Sequence, residues 1–390
     1  MDGIAERLLA RLREIGSAAT SEARLYRAPG RVNLIGEHTD YNLGFVMPIA
    51  LDLACTVAAA PRGDGRLRIF SLNMNEAYDI GVADLKTLKP SQHWSDYVLG
   101  AGKEVAALGH EVSAADLVIE STVPVGAGLS SSAAIEVSSA LAFLQGRSIE
   151  KMELAKLARR AENDFVGMPC GIMDQFISVH GEENRAIRID CRNLDYESVP
   201  LPFDVHVVAV NSMVKHELGS SAYAERVREC GEAVAVFQKH LKGVESLRDV
   251  NAEHFAHWDE YIPEPARRRA RHIISENERV LAFRDACVRH DKAEMGELFY
   301  RSHKSMRDDY EISCAEIDFL VDTAMAFDGC YGSRMTGGGF GGCTVNLLRS
   351  DAVDAFKAEI ARAYGERFEL TPLFYDCHPA QGAKELTSSD

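Results

Sequence analysis

A glycine-rich turn that leads directly into an apolar helix is the sequence feature that most constrains the fold. In the stretch PVGAGLSSSAAIEVSSALAFLQG, Gly126 and Gly128 relieve side-chain crowding, and mostly apolar residues follow. The free backbone N–H groups at the start of such a helix point back toward the turn and form an anion cradle. The serines at 130–132 can cap the helix. The pattern lacks the lysine of the common P-loop, and an ordinary helix cap explains it about as well as phosphate binding does.

A second turn carries an even higher density of glycine. Five of the six residues at 337–342 are glycine, within the stretch MTGGGFGGCTV. Glycine allows positive φ angles and close backbone packing, but a purely structural turn needs fewer of them. The pattern therefore favours a loop that faces a ligand. We call residues 337–342 the glycine-rich turn.

Two further stretches place charged side chains beside apolar ones. RAPGRVNLIGEHTDYN, at residues 27–42, surrounds a short apolar run with two arginines, a glutamate, a histidine and an aspartate. Asp174 stands between Met173 and Phe176 in the mostly apolar GIMDQF. Burying a charge is costly unless it is paired or hydrogen-bonded. On the residues alone, a buried ion pair explains Asp174 better than a catalytic role does.

Composition narrows the class of protein. A chain of 390 residues that is 46% hydrophobic can bury a large core, and its length favours two domains. The formal charge of -16 excludes binding to nucleic acid or an anionic membrane by electrostatic attraction. Nine cysteines without a C-x-x-C pair predict reduced thiols in a cytoplasmic protein. The charged N-terminal segment and the lack of a long apolar run predict neither a signal peptide nor a membrane span.

The order of predicted elements indicates an α+β protein of two domains. Strands and helices follow one another up to the β-rich segment RAIRIDCRNLDYESVPLPFDVHVVAVNS, whose prolines make it the best boundary candidate. Beyond it, helices alternate with few strands. We therefore expect an N-terminal domain at residues 1–190 and a C-terminal domain at residues 191–390.

Taken in order along the chain, these stretches resemble the GHMP small-molecule kinases and, within them, the galactokinases. GRVNLIGEHTDYN is similar to the family signature, PVGAGLSSSAA to its phosphate loop and MTGGGFGGCTV to its third motif. AENDFVGMPCGIMDQF, GSSAYAERVREC and SHKSMRDDYEISC are similar to the intervening landmarks. Met213 and Asp164 depart from the usual family residues, at positions without assigned chemistry. The fold that the resemblance implies is α+β, with a ferredoxin-like C-terminal domain and the active site between the domains.

The resemblance implies that the γ-phosphoryl group of ATP is transferred to the anomeric hydroxyl of α-D-galactose. Asp174 matches the family's catalytic aspartate, which accepts the proton of that hydroxyl or orients it. Arg31 matches the arginine that lowers the pKa of the attacking hydroxyl and offsets the developing charge. The sugar-binding residues implied are Glu37, His38, Thr39, Asp40, Gly171, Asp174 and Tyr223.

The resemblance also implies a site for ATP and Mg²⁺. Ser71, Trp94 and Tyr97 match positions near the adenine, although a partly buried core residue explains Trp94 as well. The phosphate loop, residues 126–132, consists of Gly126, Ala127, Gly128, Leu129, Ser130, Ser131 and Ser132. Ser132 and Glu162 match the magnesium ligands. Two protein ligands suit Mg²⁺, because this ion keeps much of its hydration shell.

Two alternatives stay open at this point. One is a catalytically silent galactose sensor, against which the intact GLSSSAA, Asp174 and Arg31 all argue. The other is a kinase for N-acetylgalactosamine, galacturonate or arabinose, because the loops that set the pocket volume cannot be placed from the sequence. The expected partners are galactose and ATP, without nucleic acid or membrane. The sequence leaves the oligomeric state open, with a monomer favoured.

Overall fold

The computed structural model describes residues 3–215 and 219–387. Its helices are α1 (Gly3–Glu14), α2 (Ser95–Ala107), α3 (Ser131–Leu144), α4 (Lys151–Arg160), α5 (Met173–His180), α6 (Gly219–His240), α7 (Ala252–Trp258), α8 (Ala266–Arg289), α9 (Lys292–Asp308), α10 (Ala315–Ala326) and α11 (Val353–Phe368). Its strands are β1 (Arg24–Ile35), β2 (Phe45–Pro61), β3 (Arg66–Ser71), β4 (Glu76–Gly81), β5 (Ala115–Ser121), β6 (Arg185–Asp190), β7 (Tyr196–Pro200), β8 (Val205–Lys215), β9 (Cys330–Thr336), β10 (Gly341–Arg349), β11 (Leu373–Asp376) and β12 (Lys384–Leu386).

The larger sheet runs in the order β12-β1-β2-β5-β3-β4, and β6 and β7 extend it beside β2. The pairs are antiparallel except for β3 with β5. In β1 every residue from Ala28 to Ile35 is buried. Burial without alternation is expected for a strand that is covered on both faces. The apolar helix α3 packs on β1 and β2, so the glycine-serine turn before it lies beside β1.

The smaller sheet is antiparallel and runs in the order β11-β8-β10-β9. Helices α10 and α11 cover it and share an apolar core with it, which includes Val208, Leu320, Leu348 and Phe356. Helices segregated beside an antiparallel sheet are the α+β arrangement. The predicted fold class, an α+β protein with a second α+β unit after the first, is confirmed.

Two strands bear on the predicted boundary between residues 190 and 191. β7 pairs with β6 in the larger sheet, although it follows residue 190. β12, near the end of the described chain, returns to pair with β1. The boundary stays a prediction. These pairings favour a first unit that extends beyond residue 190 and includes the last strand, β12.

Two further features bear on the sequence predictions: the state of the cysteines and the apolar character of the helices. All nine cysteines lie in the described ranges and are free thiols, as the lack of paired spacing predicted. Among residues 3–215 and 219–387, no helix combines the length and the apolar character that crossing a membrane requires.

Candidate active site

The centre of the site is an ion pair between Arg31 on β1 and Asp174 in the first turn of α5. Arg31 donates from Nε to one carboxylate oxygen at 2.8 Å and from Nη2 to the other at 2.7 Å. Its Nη1 donates to the carbonyl of Gly128 at 2.5 Å. Bidentate pairs of this kind are strong and fix geometry. The two residues predicted to be catalytic are thus in direct contact, and the pair touches the phosphate loop.

The backbone of the phosphate loop is exposed to solvent at its glycines. Ala127 and Leu129 are fully buried and anchor the loop, whereas Gly126 and Gly128 are exposed. Ser130 has left-handed backbone angles, and its hydroxyl donates to Asp174. No described side chain caps the start of α3. The first N–H groups of this helix are therefore available to phosphate oxygens, which the helix dipole also attracts.

Ser132 and Glu162, the predicted metal ligands, are hydrogen-bonded to each other through their side chains. Glu162 lies in a short π-helical segment, Ala161–Val166, that follows α4. Burial raises the pKa of the Glu162 carboxyl, the nearby charge of Asp174 raises it further, and a hydrogen bond with Ser132 lowers it. A hydroxyl and a carboxylate with excess negative charge nearby fit Mg²⁺, which prefers oxygen ligands.

Asp40 is a carboxylate whose negative charge the surrounding protein disfavours. Its pKa is raised to about 6, mainly by burial, and the charge of Asp174 adds to the shift. Within the described part of the chain no basic side chain forms an ion pair with it. A cavity of about 620 Å³ reaches Asp40 and Gly171. A methyl group built on Gly171 would lie 1.8 Å from an oxygen of Asp40, so a larger residue at this position would displace the Asp40 carboxylate.

Glu37, His38 and Thr39 lie in the same segment, residues 36–43, which we call the sugar loop. The carboxylate of Glu37 is 3% exposed and forms an ion pair with Arg334 at 2.6 Å. Burial lowers the pKa of His38 to about 3, so its ring is neutral. The Thr39 hydroxyl points into the loop, 2.5 Å from the carbonyl oxygen of Phe45. The polar atoms of these residues thus contact protein, and their direct contact with a sugar stays a prediction.

Tyr223, on α6, closes the sugar loop from the other side. Its ring centroid lies 5.3 Å from that of His38 and 5.4 Å from that of Tyr41. Burial raises the pKa of Tyr223, and the charge of Asp40 adds to this. The tyrosine therefore stays protonated and can donate a hydrogen bond next to Asp40.

The residues predicted to lie near the adenine meet at one end of the larger sheet. Ser71 is paired with Glu76 across the β3–β4 hairpin, and Glu76 accepts a hydrogen bond from the indole of Trp94 at 3.0 Å. Tyr97 lies one turn further along α2, with a pKa raised by burial and then by the charge of Glu162. These contacts place Tyr97, and with it the other residues predicted to lie near the adenine, on the side of the site where Glu162 lies.

Sequence reasoning missed two buried polar residues behind Glu162. The amide nitrogen of Gln175 donates to Glu162 at 2.5 Å and lies 3.2 Å from Glu136, and both Gln175 and Glu136 are fully buried. Burial, and then the charge of Glu162, raise the pKa of Glu136 well above its ordinary value. A signal existed, because Glu136 is the single charged residue in the helix SSAAIEVSSALAFL.

Phosphoryl transfer depends on positioning and charge stabilisation. The site offers both, because a carboxylate and an arginine lie beside an anion cradle, and oxygen ligands for a divalent cation lie nearby. Family comparison gives the same class. The model for the GHMP kinases N terminal domain matches residues 96–182, and the model for GHMP kinases C terminal matches residues 283–366. The fold is that of a GHMP kinase. A mevalonate kinase from Methanococcus jannaschii shares this fold with a TM-score of 0.66 at 18% identity, covering 92% of this chain and 98% of its own.

More specific matches narrow the class. The galactokinase galactose-binding signature matches residues 13–61. A galactokinase from Roseiflexus sp. (strain RS-1) is 46% identical over 360 residues, 92% of each chain, and one from Chloroflexus aggregans is 47% identical over 369 residues, 94% of each. The structure of Lactococcus lactis galactokinase complexed with galactose has a TM-score of 0.93 at 34% identity, covering 98% of this chain and 100% of that one. This chain belongs to the galactokinase family.

Proposed function

We propose a mechanism in which the Arg31–Asp174 pair acts on the anomeric hydroxyl of α-D-galactose. As a galactokinase, the chain phosphorylates galactose with ATP. The observation that carries the mechanism is the bidentate contact of Arg31 with Asp174, because it places a carboxylate and a fixed positive charge beside the phosphate loop.

In the proposed step, the anomeric oxygen of galactose attacks the γ-phosphorus of ATP and forms the new O–P bond. The bond between that phosphorus and the bridging oxygen breaks, and its electron pair leaves with ADP. The proton of the anomeric hydroxyl passes to a carboxylate oxygen of Asp174. Arg31 stays positively charged and holds both oxygens of Asp174, so it orients the base and offsets charge on the phosphoryl oxygens.

The phosphate loop and the start of α3 bind the phosphates through backbone N–H groups, and Ser71, Trp94 and Tyr97 contact the adenine. Ser132 and Glu162 hold Mg²⁺, which supplies charge neutralisation to the phosphate oxygens when it is bound. What supports this assignment is the facing pair of oxygen donors in a pocket with unbalanced negative charge.

Asp40 orients the sugar in this proposal. A half-buried carboxylate without an ion-pair partner among the described residues has acceptor capacity left for hydroxyl groups of the ligand. Tyr223 donates from the facing helix, and Gly171 leaves the space that Asp40 needs. We infer a monomer as the working unit, which light scattering after size exclusion tests.

The experiment is a panel of sugars assayed for ADP release with Mg²⁺ and ATP. Galactose, N-acetylgalactosamine, galacturonate and arabinose are compared, and the galactose product is examined by phosphorus-31 NMR. We expect galactose to be preferred and its phosphorus to couple to the anomeric proton. Phosphorylation at another carbon would contradict the assigned role of Asp174, and preference for another sugar would contradict the assigned role of Asp40.

A further inference from the structure

The carboxylate of Glu162 is held by two protein donors. Nε2 of Gln175 donates to Oε2 of Glu162 at 2.5 Å, and the thiol of Cys170 donates to the same oxygen at 3.5 Å. Holding one oxygen of a carboxylate at a fixed donor also fixes the direction of the other oxygen. Because a thiol is a weak donor, the direction in which Glu162 faces a cation depends chiefly on Gln175.

The same amide nitrogen reaches a second carboxylate. Nε2 of Gln175 lies 3.2 Å from Oε2 of Glu136, and both residues are fully buried. A side-chain amide has two N–H groups, so one can point at each carboxylate. The nitrogen of the amide, and not its oxygen, faces Glu162, because an ionised carboxylate only accepts hydrogen bonds. Glu136 thus holds the amide in the orientation in which it donates to Glu162.

The helices that carry these side chains also carry the rest of the predicted metal site. Glu136 stands four residues after Ser132 on α3, and residues at this spacing lie on the same face of a helix. Gln175 follows Asp174 directly in α5, which packs on α3. Within the described ranges, neither Glu136 nor Glu162 forms an ion pair with a basic side chain. The neutral amide is therefore the group through which α3 and α5 together orient Glu162.

We propose that Gln175 and Glu136 are positioning residues for the cation site. Gln175 fixes the direction of the Glu162 carboxylate, and Glu136 fixes the amide of Gln175. Glu162 then presents an oxygen to Mg²⁺ without reorientation, which favours binding because less conformational freedom is lost. The proposal rests on the proposed function of Glu162 as a ligand of Mg²⁺.

The measurement is the affinity of a non-hydrolysable ATP analogue, determined by calorimetry with saturating Mg²⁺ and with EDTA. We call the ratio of the two affinities the magnesium gain. Gln175→Met keeps the length of the side chain and removes the N–H donors. We expect it to reduce the magnesium gain about tenfold, with the affinity in EDTA and the galactose affinity nearly unchanged. An unchanged magnesium gain, with or without a general loss of affinity, would overturn the proposal.

Ser178→Ala is the matched control on the same helix. The hydroxyl of Ser178 is buried and donates to the carbonyl of Pro29 at 2.7 Å, so this variant also loses one buried hydrogen bond of α5. We expect a lower thermal midpoint and an unchanged magnesium gain. If the control reduced the magnesium gain as much as Gln175→Met does, the effect would come from loosening of α5 and the proposal would fail.

A pair of variants at Glu136 tests the second positioning residue. Glu136→Gln keeps an oxygen that accepts from Gln175, whereas Glu136→Met keeps the length and removes the acceptor. We expect Glu136→Met to reduce the magnesium gain about fivefold and Glu136→Gln to retain it within about twofold. Equal losses in the two variants would assign the effect to the charge of Glu136 and contradict a positioning role, and an unchanged magnesium gain in Glu136→Met would contradict it as well.

A double variant separates this proposal from the one on which it rests. If Gln175 acts through Glu162, adding Gln175→Met to Glu162→Gln should reduce the magnesium gain by less than about a further twofold. A full additional loss of about tenfold would overturn the positioning role. If Glu162→Gln alone leaves the magnesium gain intact, the proposed role of Glu162 fails. If it abolishes the magnesium gain while Gln175→Met does not reduce it, only the positioning role fails.

Discussion

Replacing Asp40 by asparagine is expected to stabilise the ligand-free protein while it weakens galactose binding. Asparagine has nearly the same shape but no charge. Asp40 is half-buried, receives its hydrogen bonds from backbone N–H groups, and is repelled by Asp174 and Glu37. The charge is therefore unfavourable until a ligand supplies donors, and the Asp40→Asn variant removes that cost.

The magnitude follows from the pKa of Asp40, which rises from an ordinary value of 3.8 to about 6 in the folded protein. A shift of this size corresponds to about 3 kcal/mol. A raised acid pKa means that the folded state resists losing the proton. The penalty is absent below pH 3.8, grows as the pH rises, and is complete above about pH 6. The stability advantage of Asp40→Asn should be about 3 kcal/mol at pH 8 and about half of that at pH 5.

The assay compares thermal midpoints of wild type and Asp40→Asn at pH 8 and pH 5, at one scan rate and without ligands. Galactose affinity is measured on the same samples and should fall about tenfold or more, because a ligand hydroxyl loses a charged acceptor. A variant that is less stable than wild type at pH 8 would refute the reasoning, since it would mean that Asp40 has a stabilising partner. A stability difference that does not depend on pH would refute the pKa argument alone.

Four further changes test other parts of the site and the fold. Asp174→Asn should lower kcat by at least about a hundredfold with an unchanged circular dichroism spectrum, because general-base assistance is typically worth that much; near-normal turnover would contradict the proposed base. Glu162→Gln should raise the Mg²⁺ concentration needed for half-maximal rate, and added Mg²⁺ should recover part of the activity; a loss that Mg²⁺ does not change would make Glu162 a structural residue. Gly171→Ala should raise the galactose KM about tenfold and leave the ATP KM unchanged, because its methyl group displaces the carboxylate of Asp40. Met213→Asn should raise the free energy of unfolding by up to about 1 kcal/mol, and with it the thermal midpoint. The reason is that Met213 is 51% exposed with a φ of 61°, which asparagine tolerates better; a lower midpoint would contradict this.

The parts of the site that could be predicted from the sequence are those encoded in one continuous segment. The glycine-serine turn before α3 is local, so its anion cradle was predictable. The contact between Arg31 and Asp174 joins residues 143 positions apart. The family resemblance placed both residues in the site, but their contact was not predicted. Spacing gives no information about such pairs, because tertiary packing creates them.

The remaining parts depend on packing that no local pattern records. Gln175 contacts Glu136 across 39 positions, and the amide finds its partners only when α3 and α5 pack together. The strand β12 has three residues, too few for a periodic signal, yet it pairs with β1 and joins the end of the described chain to the first sheet. Short strands and buried polar pairs are therefore the features that sequence reasoning misses here.

The carboxylates of the site differ in how fully the protein satisfies them, and this difference separates their tasks. Glu37 is held by Arg334 and backbone, and Asp174 by Arg31, so both are fixed in position before a ligand arrives. Glu162 and Asp40 have raised pKa values and no basic partner within the described ranges. A charge that the protein leaves unbalanced gains the most from a ligand that balances it. The affinity for cation and sugar should therefore reside in these last two residues, whereas the paired carboxylates contribute geometry.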